Sequence, residues 1–255
     1  MAALAALPAA LAARIPSTDN AFSAAKIIGG EATKLGEFPY ILSLEDEWGP
    51  ACGAVLLNAD TVVTAANCID WMEDPQLYVR AGSLETMSGG VTANVSAFFL
   101  HPNWNDTPVD NDIAVMKLSS PIAESPVIGY ARLPPFGSDP SEGTILSVAG
   151  WGSLDPYEMQ HPDALMRVDV PVVGRAKCQA QLSEFLDLIV TESMFCAGFD
   201  EGGQDACWGD SGGPIVDGSG TLVGLVSWGH LCAVPLAPGV YTRIGNLIDF
   251  IELYL

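Results

Sequence analysis

The chain has 255 residues, of which 49% are hydrophobic, and none of its apolar runs reaches the roughly 18 residues that a membrane-spanning helix needs. These values indicate a soluble globular protein with a sizeable core and exclude a membrane-spanning class. Ten Lys and Arg residues stand against 31 Asp and Glu residues, a formal net charge of −21, so nucleic acid and anionic membranes are poor partners. Two interpretations of this charge stay open. The surface could attract basic proteins over a long range, or it could simply keep the protein soluble without encoding a partner.

The first 26 residues have the composition of a processing segment. Residues 1–12 form a short Ala- and Leu-rich run that ends in Ala10-Leu11-Ala12, a pattern that a signal peptidase accepts. Because the run lacks the basic residues that usually begin a signal peptide, a plain Ala-rich terminus is the alternative. We expect a signal peptide here. Elsewhere, the sequence shows no internal repeat with a fixed period.

Six cysteines, an even number, favour a disulfide framework, and their spacing is not that of a metal site. Stable disulfides persist in oxidising compartments, so we predict a secreted, extracellular protein that needs no metal ion and no cofactor. The cysteines are Cys52, Cys68, Cys178, Cys196, Cys207 and Cys232.

Two Asn-x-Ser/Thr triplets begin at Asn94 and Asn105. Such triplets accept glycans in secreted proteins, but they also arise by chance. Glycosylation at either position is therefore left open.

Three motifs occur in the order in which one class of serine protease carries its general base, its orienting acid and its nucleophile. Thr64–Cys68 comes first and contains Asn67. Asp112 then leads an apolar, strand-like run, which suits a buried carboxylate that orients a base. Ser211 lies within Gly209–Pro214, where glycines leave its hydroxyl accessible. Each motif alone has an ordinary explanation as a turn or a strand-capping residue, but their joint order is typical of one class of serine protease.

With these motifs, the chain resembles the trypsin/chymotrypsin family of serine proteases from Ile27 to the C-terminus. The resemblance continues through Ile27–Gly30, Ala149–Gly152, Ser227–Gly229 and Gly239–Thr242. Details of the sequence are most similar to secreted fungal trypsins, namely Cys52–Asn58, Arg80–Ser83 and Ile128–Leu133.

The resemblance implies an all-β fold of two packed six-stranded antiparallel β-barrels with the catalytic cleft between them. The protease domain would span residues 27–255. Its first barrel would cover about 27–135, its second about 136–245, and a short C-terminal helix about 246–255, which the side chain of Asn246 can cap. The implied disulfides are Cys52–Cys68, Cys178–Cys196 and Cys207–Cys232.

The same resemblance implies an activation switch at the Lys26-Ile27 bond, so that residues 1–26 also include an activation propeptide. Cleavage after Lys26 frees the α-amine of Ile27, which in the family pairs with the carboxylate beside the nucleophile, here Asp210. Because an unpaired buried carboxylate is costly, the new ammonium organises the segment that carries the oxyanion-hole amides of Gly209 and Ser211.

Asp205, six residues before the candidate nucleophile, matches the acid of the trypsin specificity pocket, where an anion selects Lys or Arg. Gly229 and Gly239 match wall positions at which side chains would block the pocket. Trp208 and Leu231 depart from the usual Gln and Gly, and they would narrow the entrance or make it more apolar. The predicted substrate-binding residues are Asp205, Ser227, Trp228, Gly229 and Gly239.

The position of the general base holds Asn67 instead of His. A neutral imidazole accepts the serine proton near pH 7 and returns it to the leaving amine, whereas a carboxamide oxygen has negligible basicity there. Asn67 could bridge Asp112 and Ser211 and preserve the architecture. Loss of a triad member typically lowers turnover by about 10⁴- to 10⁶-fold, so we expect hydrolysis to be severely impaired.

The three histidines of the chain are poor replacements for the missing base. His101 lies in a loop motif that many active relatives also have, which indicates a structural role. His161 lies in a Pro-flanked polar loop and is expected to be solvated, and His230 is expected to line the substrate groove. A histidine supplied by the substrate itself is an alternative.

Two functional classes stay open. The first is a secreted protease homologue that binds Lys- or Arg-containing proteins, peptides or protein inhibitors as a monomer, with little hydrolysis. The second is an active trypsin-like endopeptidase that cleaves after Lys or Arg. The second class requires that Asn67 be bypassed, or that the true residue be His, whose codons differ by one base. Intact Ser211, Asp112 and Asp205 favour retained chemistry, and Asn67 favours impairment.

Overall fold

A computed structural model describes residues 27–71 and 76–255. The predicted signal peptide and activation propeptide, with Lys26, lie outside these residues. The strands are β1 (Glu31–Ala32), β2 (Ile41–Glu45), β3 (Pro50–Leu56), β4 (Thr61–Thr64), β5 (Tyr78–Ala81), β6 (Val91–Leu100), β7 (Ala114–Leu118), β8 (Ile145–Gly150), β9 (Met166–Val173), β10 (Met194–Ala197), β11 (Pro214–Val216), β12 (Leu222–Trp228) and β13 (Gly239–Arg243). The helices are α1 (Arg175–Leu182), α2 (Ile248–Glu252) and the 3-10 turns Ala66–Cys68 and Ile244–Asn246.

Strands β2, β3, β4, β7, β6 and β5 form a closed antiparallel barrel in that order. Its core consists of aliphatic side chains that are fully buried, among them Leu42, Leu56 and Met116. The pairing of β4 with β7 ends at Thr64 opposite Ala114. This register brings the turn that carries Asn67 next to the residues just before β7, where Asp112 lies.

The second sheet closes in the same way. Strands β9, β10, β13, β12, β11 and β8 form a ring in which β8 also pairs with β9, and β1 pairs with the first two residues of β9. The sequence of β9 alternates buried and half-buried residues along most of its length, as expected of a strand with one face in a core. The predicted class of two six-stranded antiparallel barrels is confirmed.

One apolar cluster joins the two barrels. It contains Val55 and Val115 from the first barrel, Leu222 and Leu225 from the second, and Phe250 from the C-terminal helix. Apolar burial at roughly 25 cal/mol per Å² makes such a shared cluster the main attraction between the barrels. The cluster therefore holds the loops of both barrels in a constant relation at the cleft.

The C-terminal helix is present, but its predicted cap is wrong. Helix α2 begins at Ile248, Asn246 belongs to the preceding 3-10 turn, and no side chain caps the helix at Leu247. The buried side chains of Ile248 and Ile251 set the position of the helix through packing. Within residues 27–71 and 76–255, no helix is long and apolar enough to cross a membrane.

All three predicted disulfides are confirmed. Cys52–Cys68 ties β3 to the turn that carries Asn67. Cys178–Cys196 ties α1 to β10. Cys207 lies between Asp205 and Ser211, and its disulfide with Cys232 ties this segment to the loop after β12.

Candidate active site

The segment that carries Ser211 lies between β10 and β11 and is pressed against the first barrel. The amide of Gly53 in β3 donates a hydrogen bond to the carbonyl oxygen of Ser211 at 2.8 Å. Gly209 and Gly212 have φ angles of +97° and +76°, which favour glycine, and a side chain on Gly212 would strike Thr64. These glycines allow the turn that leaves Ser211 half-buried at the cleft.

Asp112 is almost fully buried and accepts hydrogen bonds from both barrels. Its Oδ1 accepts the backbone N–H of Asn67 at 2.9 Å, and its Oδ2 accepts the Ser227 hydroxyl at 2.5 Å. Thr242 Oγ1 also donates to the Asp112 carbonyl oxygen at 2.6 Å. Burial raises the pKa of Asp112 to about 6, and the bonds from Ser227 and Asn67 partly oppose that rise.

The side-chain amide of Asn67 is committed to groups other than Ser211. Asn67 Nδ2 donates to Asp112 Oδ2 at 2.7 Å and to the carbonyl oxygen of Ser227 at 3.1 Å. Both amide hydrogens are thereby used. Of the bridge suggested by the sequence, the contact with Asp112 is present, but the described residues include no hydrogen bond between Asn67 and Ser211. The carboxamide therefore donates a hydrogen bond to Asp112, as an imidazole N–H could, but it has no basic nitrogen that could accept a proton.

The carboxylate of Asp210 is completely buried in a backbone cradle. Its Oδ1 accepts the amide of Gly152 at 2.7 Å, and its Oδ2 accepts the amide of Cys207 at 2.8 Å. Burial raises the pKa of Asp210 to about 6, and these two bonds partly oppose that rise. A Cβ on Gly150 or Gly152 would overlap the carboxylate. The sequence shows the Ala149–Gly152 motif, but nothing in it indicates that these glycines leave space for a buried carboxylate.

Ile27 is fully buried and packs in the core of the second barrel with Leu146 and Phe195. Its φ angle is +30°, in a region that β-branched residues avoid. The carbonyl oxygen of Ile28 accepts the amide of Asp205 at 3.2 Å. The first described residues therefore lie against the segment that leads to Ser211.

A pocket beside Ser211 contains every predicted substrate-binding residue in its lining. Asp205 Oδ2 accepts the amide of Ala233 at 3.0 Å, while its buried Oδ1 has no hydrogen-bond partner among the described residues. Burial raises the pKa of Asp205 to about 7. A Cβ on Gly239 would lie 2.9 Å from Asp205 Oδ1, so a side chain there would cover the carboxylate.

The two residues that depart from the usual pattern, Trp208 and Leu231, also line this pocket. Trp208 is 50% exposed, which agrees with a position at the entrance rather than at the closed end. Within the described ranges, no group of three or more His, Cys, Asp or Glu side chains could hold a metal ion. Asn94 and Asn105 are exposed, and their glycosylation stays a prediction.

None of the histidines hydrogen-bonds Ser211 within the described residues. His101 packs edge-on against Phe250, and His230 stacks on Phe185 with ring centroids 4.7 Å apart. His161 is an exposed residue, as expected, but its ring Nδ1 lies 3.0 Å from the Trp151 carbonyl oxygen in a partly buried contact. The ring borders Gly209, a contact that local sequence could not reveal.

A sequence model of the trypsin family matches residues 27–251. The chain belongs to the trypsin family. Among its trypsin relatives, Trypsin Blo t 3 of Blomia tropicalis is 37% identical over 236 residues, which cover 92% of this chain and 88% of the relative. Trypsin beta of Drosophila erecta is 39% identical over 226 residues, which cover 89% and 87%. Trypsin delta of Drosophila melanogaster is 38% identical over the same shares.

The Asp210 cradle makes a prediction about stability. Gly150→Ala should lower the free energy of unfolding by about 3 kcal/mol, because the added methyl group displaces a buried carboxylate. Gly218→Ala is the matched control, since a Cβ at this exposed glycine meets nothing within 4 Å, and it should change stability by less than about 0.5 kcal/mol. Denaturant unfolding measures both values, and equal effects would contradict the cradle.

Proposed function

We propose that this trypsin-family protein is secreted, is activated by cleavage of the Lys26-Ile27 bond and binds polypeptides through a Lys or Arg side chain. We further propose that it hydrolyses them very slowly, because Asn67 occupies the position of the general base. The observation that carries this proposal is the commitment of the Asn67 amide to Asp112 and Ser227. Among the described residues, no side chain then accepts the proton of Ser211.

The chemistry follows from proton transfer. When Ser211 Oγ attacks a peptide carbonyl, its proton must leave, and the departing amine must receive one. The carboxamide of Asn67 does neither near pH 7. The carboxylate of Asp112 is no substitute, because it is buried behind Asn67 and holds the hydrogen bonds from Asn67 and Ser227. What remains is binding and the oxyanion donors at Gly209 and Ser211, which together sustain about 10³- to 10⁴-fold acceleration over water.

The pocket supports a preference for cationic side chains. An ammonium or guanidinium group that enters it meets Asp205 Oδ1, a buried acceptor with no hydrogen-bond partner among the described residues. A charge-assisted hydrogen bond to this oxygen satisfies both partners. Because Gly229 and Gly239 carry no side chain, a long Lys or Arg can reach the carboxylate.

Activation is supported by the state of Asp210 and Ile27. The buried Asp210 carboxylate has backbone donors but no cation among its hydrogen-bond partners in the described part of the chain. Cleavage after Lys26 would supply the ammonium of Ile27, and it would also release the unfavourable φ angle of that residue. Both effects favour the cleaved form.

An active endopeptidase is the second candidate. It is favoured by the intact nucleophile turn, the buried Asp112 network and the open Asp205 pocket, which binding alone does not require in full. Its proton acceptor would have to come from elsewhere, such as a histidine of the substrate. The closer sequence similarity to secreted fungal trypsins stays a prediction.

Restoring the base separates the two candidates. In protein cleaved at Lys26 by a tagged protease that is then removed, Asn67→His should raise kcat for an arginyl amide by about 10⁴-fold, since an imidazole can cycle the proton. Adding Ser211→Ala to that variant should abolish the gain. Equal and rapid amide turnover before and after the change would favour the second candidate. Equally slow turnover before and after, with Ser211 essential, would show that position 67 is not the base site.

The affinity of the pocket for a cation should depend on pH. The affinity for benzamidine, a small cation, should be constant above about pH 8 and fall about tenfold per unit below pH 7, because Asp205 with a pKa of about 7 becomes neutral. Calorimetric titration measures the affinity. Asp205→Asn is the matched control, and it should bind weakly with no pH dependence over the same range. A flat profile in the unmodified protein would contradict the assignment.

Activation makes a prediction about thermal stability. The folded pKa of Asp210, about 6, lies above its usual 3.8, so in the uncut chain the stability that it contributes is present at low pH and is lost as pH rises through 6. The Ile27 ammonium should remove this loss. The difference in Tm between cut and uncut protein should therefore be about 5 °C larger at pH 7 than at pH 4.

Asp210→Asn provides the control for this comparison. An amide does not ionise, so the difference in Tm between the cut and uncut forms of this variant should be the same at both pH values. A pH-dependent difference that persists in Asp210→Asn would contradict the pairing with Ile27.

A further inference from the structure

A cluster of hydrogen bonds joins the two barrels beside Asp112, and no step of the proposed chemistry uses it. Its centre is the half-buried carboxylate of Asp110, two residues before Asp112. Asp110 Oδ1 accepts the Thr191 hydroxyl at 2.6 Å and also accepts the Ser193 hydroxyl. The oxygens of these two hydroxyls lie 2.9 Å apart. The chain segment that leads to Asp112 is therefore tied to the second barrel through Asp110.

The hydroxyls of Thr191 and Ser193 belong to a fixed part of the second barrel. Both residues lie just before β10, whose first residue, Met194, is opposite Thr242 of β13. The Ser193 carbonyl oxygen accepts the amide of Arg243 at 2.8 Å, and Ser193 is buried. The partners of Asp110 therefore lie at the ordered edge of a barrel rather than on a free loop.

The same part of the second barrel also holds Asp112. Thr242 Oγ1 donates to the Asp112 carbonyl oxygen at 2.6 Å, while the residues just before β10 bind Asp110. Two residues of extended chain span at most about 7 Å. Because both ends of so short a segment are anchored to the neighbouring strands β10 and β13, the backbone between Asp110 and Asp112 has little freedom.

The backbone on either side of Asp110 has an unusual conformation. Val109 and Asn111 have φ angles of +68° and +53°. Asn tolerates this left-handed region, whereas a β-branched residue such as Val is strained in it. Strained backbone persists only where the surrounding contacts over-determine it. Asp110 Oδ1 supplies one such contact, because it accepts the amide of Asn111 at 3.0 Å.

The contacts of Asp110 are those of an anchor rather than of an ion pair. All three donors to Oδ1 are uncharged, and Asp110 forms no ion pair with any described residue. A surface ion pair tolerates different separations of its long side chains and is screened by salt. Three hydrogen bonds that meet at one carboxylate oxygen instead fix its position, since such bonds are short and directional.

We propose that Asp110 is a positioning residue. Through Thr191 and Ser193 it fixes the segment that carries Asp112, and it thereby sets the hydrogen bonds between Asp112 and the residue at position 67. In the unmodified chain that residue is Asn67, whose backbone amide and side chain both donate to Asp112. The effect of Asp110 on proton transfer rests on the proposed function, because it requires an imidazole at position 67.

Nuclear magnetic resonance of the full chain tests the effect on Asn67. The side-chain amide protons of Asn67 report on their acceptors, since a proton resonance moves upfield when its hydrogen bond lengthens. Asp110→Ala should move upfield the resonance of the proton that Asp112 accepts, because the carboxylate loses its fixed position. Asp110→Asn keeps an acceptor oxygen and should retain most of the original shift. The double change Thr191→Val and Ser193→Ala removes the donors instead, and it should act like Asp110→Ala.

Asp217 provides the matched control. Its Oδ1 also accepts three uncharged donors, two from Ser219 and one from Thr221, within the turn between β11 and β12. Asp217→Ala therefore removes hydrogen bonds of the same kind on a turn that carries no candidate site residue. It should leave the Asn67 resonance unchanged, even if it lowers Tm.

Kinetics test the effect on proton transfer. In the Asn67→His protein cut at Lys26, Asp110→Ala should lower kcat for an arginyl amide about tenfold or more, since a small displacement of the orienting acid misaligns the imidazole. KM and the affinity for benzamidine should not change, because the pocket keeps every residue of its lining. Asp110→Asn should recover most of kcat, and Asp217→Ala should leave it unchanged. A general loss of stability would not separate kcat from KM in this way.

The two experiments fail in different ways. An Asn67 resonance that stays in place in both Asp110→Ala and the double variant would overturn the proposal, and equal shifts in Asp110→Ala and Asp217→Ala would show general loosening instead. An unchanged kcat would overturn the effect on proton transfer. If Asp110→Ala does not fold, the double variant takes its place. If Asn67→His gives no amide turnover in the otherwise unmodified chain, the proposed function fails, and the resonance alone decides the role of Asp110.

Discussion

The geometry around Ser211 depends on burying one carboxylate, that of Asp210, in a cradle of backbone groups. A buried ionised carboxylate costs several kcal/mol unless donors or a cation surround it, so the nearby backbone is adapted to it. Gly150 and Gly152 leave the space, and the amides of Gly152 and Cys207 supply the donors. Because Asp210 directly precedes Ser211, any change in its charge balance acts on the candidate nucleophile turn.

A second buried carboxylate, Asp112, connects the two barrels. It accepts hydrogen bonds from Asn67 of the first barrel and from Ser227 of the second, and Thr242 reaches its backbone. In this network an amide serves as well as an imidazole, because only a hydrogen-bond donor is needed. Folding and proton transfer thus place different demands on position 67. Asn67 meets the first demand, and under the proposed function it does not meet the second.

Much of the fold could be predicted because the motifs from Ile27 onward resemble the trypsin/chymotrypsin family, and that resemblance implies the two barrels and the disulfide pairing. The order of the three motifs and the even number of cysteines can be read from the sequence directly. The hydrogen bond from Asn67 Nδ2 to the Ser227 carbonyl oxygen could not be predicted, because Ser227 lies in β12, far along the chain. The cap predicted at Asn246 failed for a related reason, since apolar burial at Ile248 outweighs one polar side chain.

His161 shows the same limit. Its neighbours in sequence are polar and Pro-flanked, and nothing local indicates that its ring borders Gly209. That position results from the folding of residues 153–160 around Ser153, whose hydroxyl accepts the amide of Gln160 at 3.0 Å. Such contacts depend on where a loop returns, which composition alone does not specify.

The two hydrogen bonds of the Asn67 side chain also bear on how long a ligand stays. An efficient protease ends most encounters by cutting the bound chain, so its complexes are short-lived even when binding is tight. Under the proposed function the proton acceptor is absent, so an encounter ends mainly by dissociation and koff sets the dwell time. A protein of this kind would occupy Lys and Arg sites on other polypeptides as a shield, and its effect would grow with its concentration rather than with time.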